Sequence, residues 1–447
     1  MQQTDLFIIG AGPGGYETAA FAASKGLSVF LAEEKHLGGT CLNAGCIPTK
    51  ALVFDAEHFA PTGNLPCEGD DAFCAALQRK DSIVAQLRQG VTLLMKQSGV
   101  TVIEGHATLV DAQTVTVNGE EYQAKDIIIA TGSSPKFPPL PGLGKEGTPV
   151  NSHVVTSTEI LSLDHLPQSL CIIGAGVIGM EIASVLATFG CKVTIVEFLK
   201  ECLPAMDSEI TKRLRKLMEK RSITFHLGCG VNSVEDEGSL ARVSFTDQKK
   251  GKEGFVDAEY VLVATGRQPR TEGLGLDFVG IATEKCGITT DDDLQTSVPH
   301  IYAIGDVNGR MMLAHAASFQ GKHVVNHILG IKDDIRLDII PAAVFTNPEA
   351  ASVGLTEEQA KTMGISCTSH KAIYRSNGRA LTMNATDGLV KLICDADDRI
   401  IGCHALGVEA SSLVQEVSAL MNFNITRQRL QDIVHIHPTI AELLISH

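Results

Sequence analysis

Asp5-Leu-Phe-Ile-Ile-Gly10-Ala-Gly12-Pro-Gly-Gly15 is a short apolar run that turns at once into glycines. Residues 5–10 read as a buried parallel strand, since such strands are covered on both faces and lack polar alternation. An alanine-rich helix is expected over 16–26, then a second strand over 28–32 that ends at Glu33. G-x-G-x-x-G between a strand and a helix is a dinucleotide-binding fingerprint. Gly10, Gly12 and Gly15 allow the tight turn and the close approach of a pyrophosphate, which then faces the helix N-terminus. Glu33 is placed to accept from a ribose with a free 2′-hydroxyl.

The device recurs. Residues 170–173 form a strand, Gly174-Ala-Gly176-Val-Ile-Gly179 the turn, 180–189 the helix, and 192–196 a second strand ending at Glu197. Gly10 and Gly174, Gly15 and Gly179, Glu33 and Glu197 are each 164 positions apart. Two fingerprints at one offset imply two dinucleotide sites, and that pairing selects a flavoenzyme exchanging hydride with a nicotinamide nucleotide. The expected fold class is α/β, with two Rossmann-like dinucleotide-binding domains. Two more segments echo each other: Ile127-Ile-Ile-Ala-Thr-Gly132-Ser-Ser-Pro135 and Val261-Leu-Val-Ala-Thr-Gly266-Arg-Gln-Pro269. Each reads as its domain's return strand. Between the first unit and its return strand, 72–98 is an amphipathic helix and 100–117 holds short strands.

Just past the first unit lies Leu37-Gly-Gly-Thr-Cys41-Leu-Asn-Ala-Gly-Cys46-Ile-Pro-Thr-Lys50. On an ideal helix, residues five apart are separated by about 7.5 Å along the axis and about 140° around it. A disulfide needs Cα atoms within roughly 4.4–6.8 Å. If Cys41 and Cys46 pair, the helix is distorted or begins between them, and Gly45 and Pro48 suit an irregular start. So short a closed loop gains little as a staple, whereas exposed or strained disulfides are the labile, catalytic ones. Two free buried cysteines are the other reading open at this point.

The 447 residues suit roughly two to four domains. A net charge of −15 with no basic block argues against nucleic-acid binding. Twelve cysteines without a secretory signal point to a reducing compartment, expected to be the cytoplasm. With the first strand beginning near Asp5, no transit peptide is expected. The apolar stretch 170–190 contains Glu181 and four glycines and is rejected as a membrane span. No metal is expected, since neither C-x-x-C nor a Cys/His quartet is present.

Further on, Ile301-Tyr-Ala-Ile-Gly305-Asp306 is a strand running into an aspartate able to accept from polyol hydroxyls, although such residues are more often turn formers. Met312-Leu-Ala-His315 starts a helix reaching about Leu329. From Ile340 strand-like runs (342–345, 389–394, 400–405) and helices (357–363, 411–422) suggest a separate α+β domain. The tail reads His435-Ile-His437-Pro-Thr-Ile-Ala-Glu442. Pro438 suits a helix first turn, and His437 with Glu442 would make a base with its orienting carboxylate.

Taken in order, these motifs resemble the pyridine nucleotide–disulfide oxidoreductases, and within them the dihydrolipoamide dehydrogenases, over nearly the whole chain. The resemblance implies an FAD domain (1–147), an NAD domain (148–269), a central domain completing the FAD site (270–337) and a C-terminal dimerisation domain (338–447). It assigns Glu33, the stretch from Thr40 to Cys41, Lys50, Ala107, Thr131, Gly132, Ser133, Asp306 and Met312, Leu313, Ala314, His315 to FAD. It assigns Glu197, Val231 and Gly266 to NAD. It implies a Cys41–Cys46 redox disulfide with Cys41 as interchange thiol, Lys50 paired with Glu181 near the flavin, and His437 with Glu442 acting from the other subunit of a homodimer. The remaining ten cysteines are read as core residues. The implied partner is a lipoyl-bearing protein of a 2-oxoacid dehydrogenase or glycine-cleavage complex. Glu197, followed by Phe198 and Leu199 rather than an arginine, favours NAD over NADP. A glutathione or mercuric reductase is the nearest rival, disfavoured by Leu42-Asn43, Ile47-Pro48 and the lack of a Cys-Cys tail. A binding-only flavoprotein is a more distant one. Two departures stand out: Gln320 where many relatives carry Glu, and an end five residues past Glu442.

Overall fold

The structure, a computed structural model, describes residues 1–59, 69–145 and 151–446. The boundary expected at 147/148 falls outside them. Among the described residues the first unit is built on a seven-stranded sheet. Strand β1 (Gln2–Ile9) lies at its centre, parallel to β2 (Val29–Glu33) on one side and to Glu120–Ile129 on the other. Leu6 and Ile8 pack into one core and Phe7 and Ile9 into another, all at most 3% exposed. This explains the unbroken apolar run: neither face of the strand meets water. Helix α1 (Pro13–Ser24) starts directly after the glycines, with Pro13 pre-set for its first turn. The segment after residue 270 returns to this sheet, where Ile301–Ala303 pairs parallel with Glu120–Ile129.

The second unit repeats the plan. Thr224–Leu227, Lys192–Glu197, Ser169–Ile173, Tyr260–Val263 and Val154–Val155 form a parallel sheet in that order. The helix Val177–Phe189 follows its glycine turn. The stretch 170–190 is therefore strand, turn and helix, and no helix among the described residues is long and apolar enough to cross a membrane. A three-stranded antiparallel sheet (Cys229–Asp236, Ala241–Asp247, Glu253–Ala258) is appended. The two echoing segments do more than close their own sheets. Their ends pair antiparallel with each other, Ser133–Pro135 against Arg267–Pro269. Thr131 donates to the Arg270 carbonyl and Thr265 to that of Lys136, each at 2.7 Å, so the joint is nearly symmetric.

From Ala342 an antiparallel five-stranded sheet carries the helix Ala410–Met421. Its Val344, Ala350, Leu389 and Leu406 share one hydrophobic core with the second unit. A buried ion pair, Lys391 Nζ to Asp207 at 2.8 Å, crosses the same boundary. The helix expected to include Pro438 begins later. It is a short 3₁₀ turn over Ile440–Leu444 preceded by Thr439, because Glu442 reaches back to accept the Thr439 N–H at 2.9 Å and sets the start there.

Candidate active site

One cavity of about 2120 Å³ runs between the two units. Pockets for one small ligand usually measure about 300–1,000 Å³, so this one has room for two dinucleotides. Both fingerprints line it. Gly10 and Gly174 hold φ of 100° and 107°, and a Cβ on either would fall 2.5 Å from a return-strand carbonyl, of Ala130 and Ala264. Gly15 and Gly179 lie beneath, against the carbonyls of Gly10 and Gly174. Around Gly12 and Gly176, by contrast, a Cβ would meet nothing within 4 Å. Each helix N-terminus therefore opens on a cradle clear of protein atoms, which fits a pyrophosphate.

The two acids are fixed in the same way. Glu33 accepts from Ala11 N–H at 2.8 Å and Lys35 N–H at 2.9 Å. Glu197 accepts from Ala175 N–H at 2.5 Å and Leu199 N–H at 2.7 Å. All four partners keep the 164-residue offset. Both carboxylates line the cavity, as do Thr40, Ala107, Thr131, Gly132, Ser133, Asp306, Met312, Leu313, Ala314 and His315 on one side, and Val231 and Gly266 on the other. Asp306 accepts a 2.5 Å hydrogen bond from Ser133, which Arg267 holds from the second unit at 2.7 Å. Arg267 stood in the Ala-Thr-Gly-Arg motif, but its crossing to Ser133 had no local signal. Gln320, the departure from the family pattern, is buried and accepts from Gly305 N–H at 2.7 Å and Asn308 Nδ2 at 3.1 Å. A neutral amide thus supplies the acceptor that shapes the Asp306 turn.

The cysteine stretch breaks into two helices. Helix α2 (Gly39–Ala44) ends at Gly45, whose φ of −151° and ψ of −113° leave the helical region, and α3 (Cys46–Phe59) begins at the second cysteine. A Cβ on Gly45 would lie 2.9 Å from the Thr40 carbonyl oxygen. The break brings the thiols together. Both are free, and they share a hydrogen bond. Cys41 is pushed up by that bond and by burial. Cys46 is pulled down to about 7, first by the bond from Cys41 and then by the Lys50 ammonium, against the cost of burial. Asn43 clamps the entry loop through the carbonyls of Leu37 and Gly39 at 3.0 and 2.9 Å, and Arg88 holds Asn43 at 2.9 Å. Leu42, Val84 and Val91 pack a small core beneath.

Lys50 Nζ pairs with Glu181, which is 3% exposed, and sits 4.8 Å from the centre of the Phe345 ring. Glu181 also accepts the Phe345 N–H at 2.8 Å, so one carboxylate joins three parts of the chain. His437 Nδ1 lies 2.9 Å from Glu442 Oε1, and with the Thr439 N–H this holds the Glu442 carboxyl below its usual range. The pair does not line the cavity within one chain, and the His437 side chain is 81% exposed. The His435 side chain is 5% exposed and bonded to Glu416 and to the Ile433 carbonyl. It is occupied in a structural role that His437 lacks.

The reading of ten further cysteines as core needs correction. Cys171, Cys191, Cys202, Cys229, Cys394 and Cys403 are buried, but Cys286 is exposed on a hairpin, Cys74 and Cys367 are half-buried, and Cys67 lies outside the described residues. Composition does not place a cysteine that falls in a turn, on a sheet edge or, like Cys74, on a half-buried helix face.

Residues 4–321 match the pyridine nucleotide-disulphide oxidoreductase family, and residues 340–446 match its dimerisation domain. A dihydrolipoyl dehydrogenase of Bacillus subtilis (strain 168) is 39% identical over 99% of the chain and 95% of that protein. One from Chlamydia muridarum (strain MoPn / Nigg) is 37% identical, covering 98% and 95%. Among solved structures, the HOCl-induced flavoprotein disulfide reductase RclA from Escherichia coli superposes with a TM-score of 0.88 at 31% identity, covering 98% of both chains. With two fingerprints on one cavity, adjoining thiols at its wall and family matches across both parts, the chain belongs to the pyridine nucleotide-disulphide oxidoreductases.

Proposed function

We propose that the protein is a dihydrolipoamide dehydrogenase: it oxidises dihydrolipoamide at a Cys41–Cys46 disulfide and passes the electrons by way of FAD to NAD⁺. The observation that carries this reading is Cys46, exposed on the wall of the cavity shared by both fingerprints, with its thiol held near 7. Bound FAD and NAD⁺ supply a two-electron acceptor pair in series. The rest falls to the chain. His437, its Nδ1 held by Glu442, takes the proton from one substrate thiol through Nε2. The substrate thiolate attacks Cys41 sulfur, the Cys41–Cys46 bond breaks, and Cys46 leaves as a thiolate beside Lys50. The second substrate thiol attacks the mixed disulfide, closing the lipoyl ring and releasing Cys41. Two electrons then reside on the cysteine pair.

Because His437 lies outside the cavity of its own chain, a second copy brings it to Cys41, which makes a homodimer the working unit. The boundaries 1–147, 148–269, 270–337 and 338–447 belong to the same proposal, as do a cytoplasmic location and docking to a lipoyl-bearing protein. Likeness to RclA keeps one alternative in view, a reductase of another disulfide. The test is NADH formation by the purified flavoprotein with dihydrolipoamide and NAD⁺, beside glutathione and NADP⁺. Activity with the first pair alone is expected. Silence with dihydrolipoamide overturns the substrate, and equal use of NADP⁺ overturns the coenzyme.

A further inference from the structure

The C-terminal sheet brings together three metal-ligating side chains that are far apart in sequence. His370 lies on the edge strand Cys367–Ile373, and Cys394 on its neighbour Leu389–Asp395. Cys394 stands opposite Thr368, so it shares a face with His370, two residues on. Asp398 closes the turn that follows, at a φ of 61°. One donor atom from each lies within 4.8 Å of the other two. Cys394 is buried, while His370 and Asp398 are half-buried, so the group opens to solvent on one side. None of the three lines the cavity.

The group is arranged for ligation. The Asp398 carboxylate is steered from behind, Oδ1 by Arg427 Nε at 3.3 Å and Oδ2 by Gln428 N–H at 3.1 Å. Such outer partners orient ligating carboxylates. Bond lengths of about 2.3 Å to sulfur and about 2.0–2.2 Å to nitrogen and oxygen put the ligand atoms of a tetrahedral zinc site roughly 3.3–3.8 Å apart. Binding would therefore draw the three donor atoms inward by side-chain rotation.

We propose that His370, Cys394 and Asp398 form a binding site for a divalent transition-metal ion of the zinc class. One sulfur, one nitrogen and one oxygen suit a borderline-soft ion and disfavour magnesium or calcium. Water takes the fourth position on the open side. As the metal–sulfur bond forms, Cys394 loses its proton to the buffer. The ion would fasten the edge strand and the 395–398 turn beside residues 427 and 428, a few positions before the His435–Glu442 tail.

The test uses the flavin-loaded protein carrying Cys41→Ser and Cys46→Ser, which removes the cavity thiols as competitors. Zn²⁺ is titrated by calorimetry, and Co²⁺ by its thiolate charge-transfer absorption. One Zn²⁺ per chain, with proton release and a cobalt–thiolate band, is expected. Cys394→Ser must abolish the band, and His370→Ala must weaken Zn²⁺ at least about tenfold, or about 1.4 kcal/mol. Asp398→Asn keeps the turn conformation and one of the two accepting oxygens, so it perturbs the fold less than truncation, and it too must weaken binding. Absence of stoichiometric binding, or binding unchanged in any of the three variants, overturns the proposal.

Discussion

Lys50 Nζ sits 2.7 Å from Glu181 Oε2 and 2.9 Å from Oε1, a bond between the cysteine helix α3 and the first helix of the second unit. The two charges act oppositely on Cys46: the ammonium lowers it and the carboxylate raises it. Glu181→Gln therefore shifts the Cys46 thiolate midpoint below about 7, and Lys50→Met shifts it above. Thiolate absorbance of the reduced protein, followed against pH, reads both. Equal midpoints in the two variants would refute this coupling.

Gly12→Ala and Gly176→Ala separate the two nucleotide sites. Neither new methyl group meets protein, and both glycines have φ near −70°, which alanine tolerates. Melting of the flavin-free protein should stay at the wild-type temperature. Gly12→Ala is expected to purify depleted of flavin. Gly176→Ala should keep its flavin and raise the KM for NAD⁺ roughly tenfold or more, a loss of about 1.4 kcal/mol.

His437→Gln is expected to cut dihydrolipoamide oxidation by about 10²–10⁴-fold, the usual range for a general base. Electron transfer from NADH to an artificial dye bypasses the thiols and should be untouched. An equal loss from His435→Gln, whose ring is already bonded to Glu416, would remove the assignment.

Coenzyme choice should follow Glu197. Its carboxylate is held by the Ala175 and Leu199 N–H groups at the cavity wall, where its charge opposes a 2′-phosphate. Glu197→Ala combined with Leu199→Arg should raise kcat/KM for NADP⁺ relative to NAD⁺ by more than about tenfold. An unchanged ratio would place the discrimination elsewhere.

What could be read from the chain was what short stretches encode. Gly10, Gly12 and Gly15 announce a strand–turn–helix because that turn has few solutions, and their copies at 174, 176 and 179 doubled the signal. The Gly45 break was legible as an irregular start between Cys41 and Cys46, since an ideal helix cannot bring them together. Contacts across long separations were not. Arg267 on Ser133, Phe345 on Glu181 and Arg88 on Asn43 depend on where distant segments return, and no spacing reports that. The same holds for His370, Cys394 and Asp398, which no ligand motif connects. For His437 the sequence offered a carboxylate partner at 442, and the fold delivered that pair while leaving it away from its own thiols.

The helix Val177–Phe189 belongs by sequence to the second nucleotide unit, yet its polar groups serve two other regions. Glu181 takes Lys50 and the Phe345 N–H, and Ser184 accepts the Asn347 N–H at 3.1 Å. The chain is therefore less modular than its repeated architecture suggests. A nucleotide unit transplanted from a relative must arrive with an acid at 181 and a hydroxyl at 184. Without them it strands a lysine and two backbone amides at the seam, however well it binds its coenzyme.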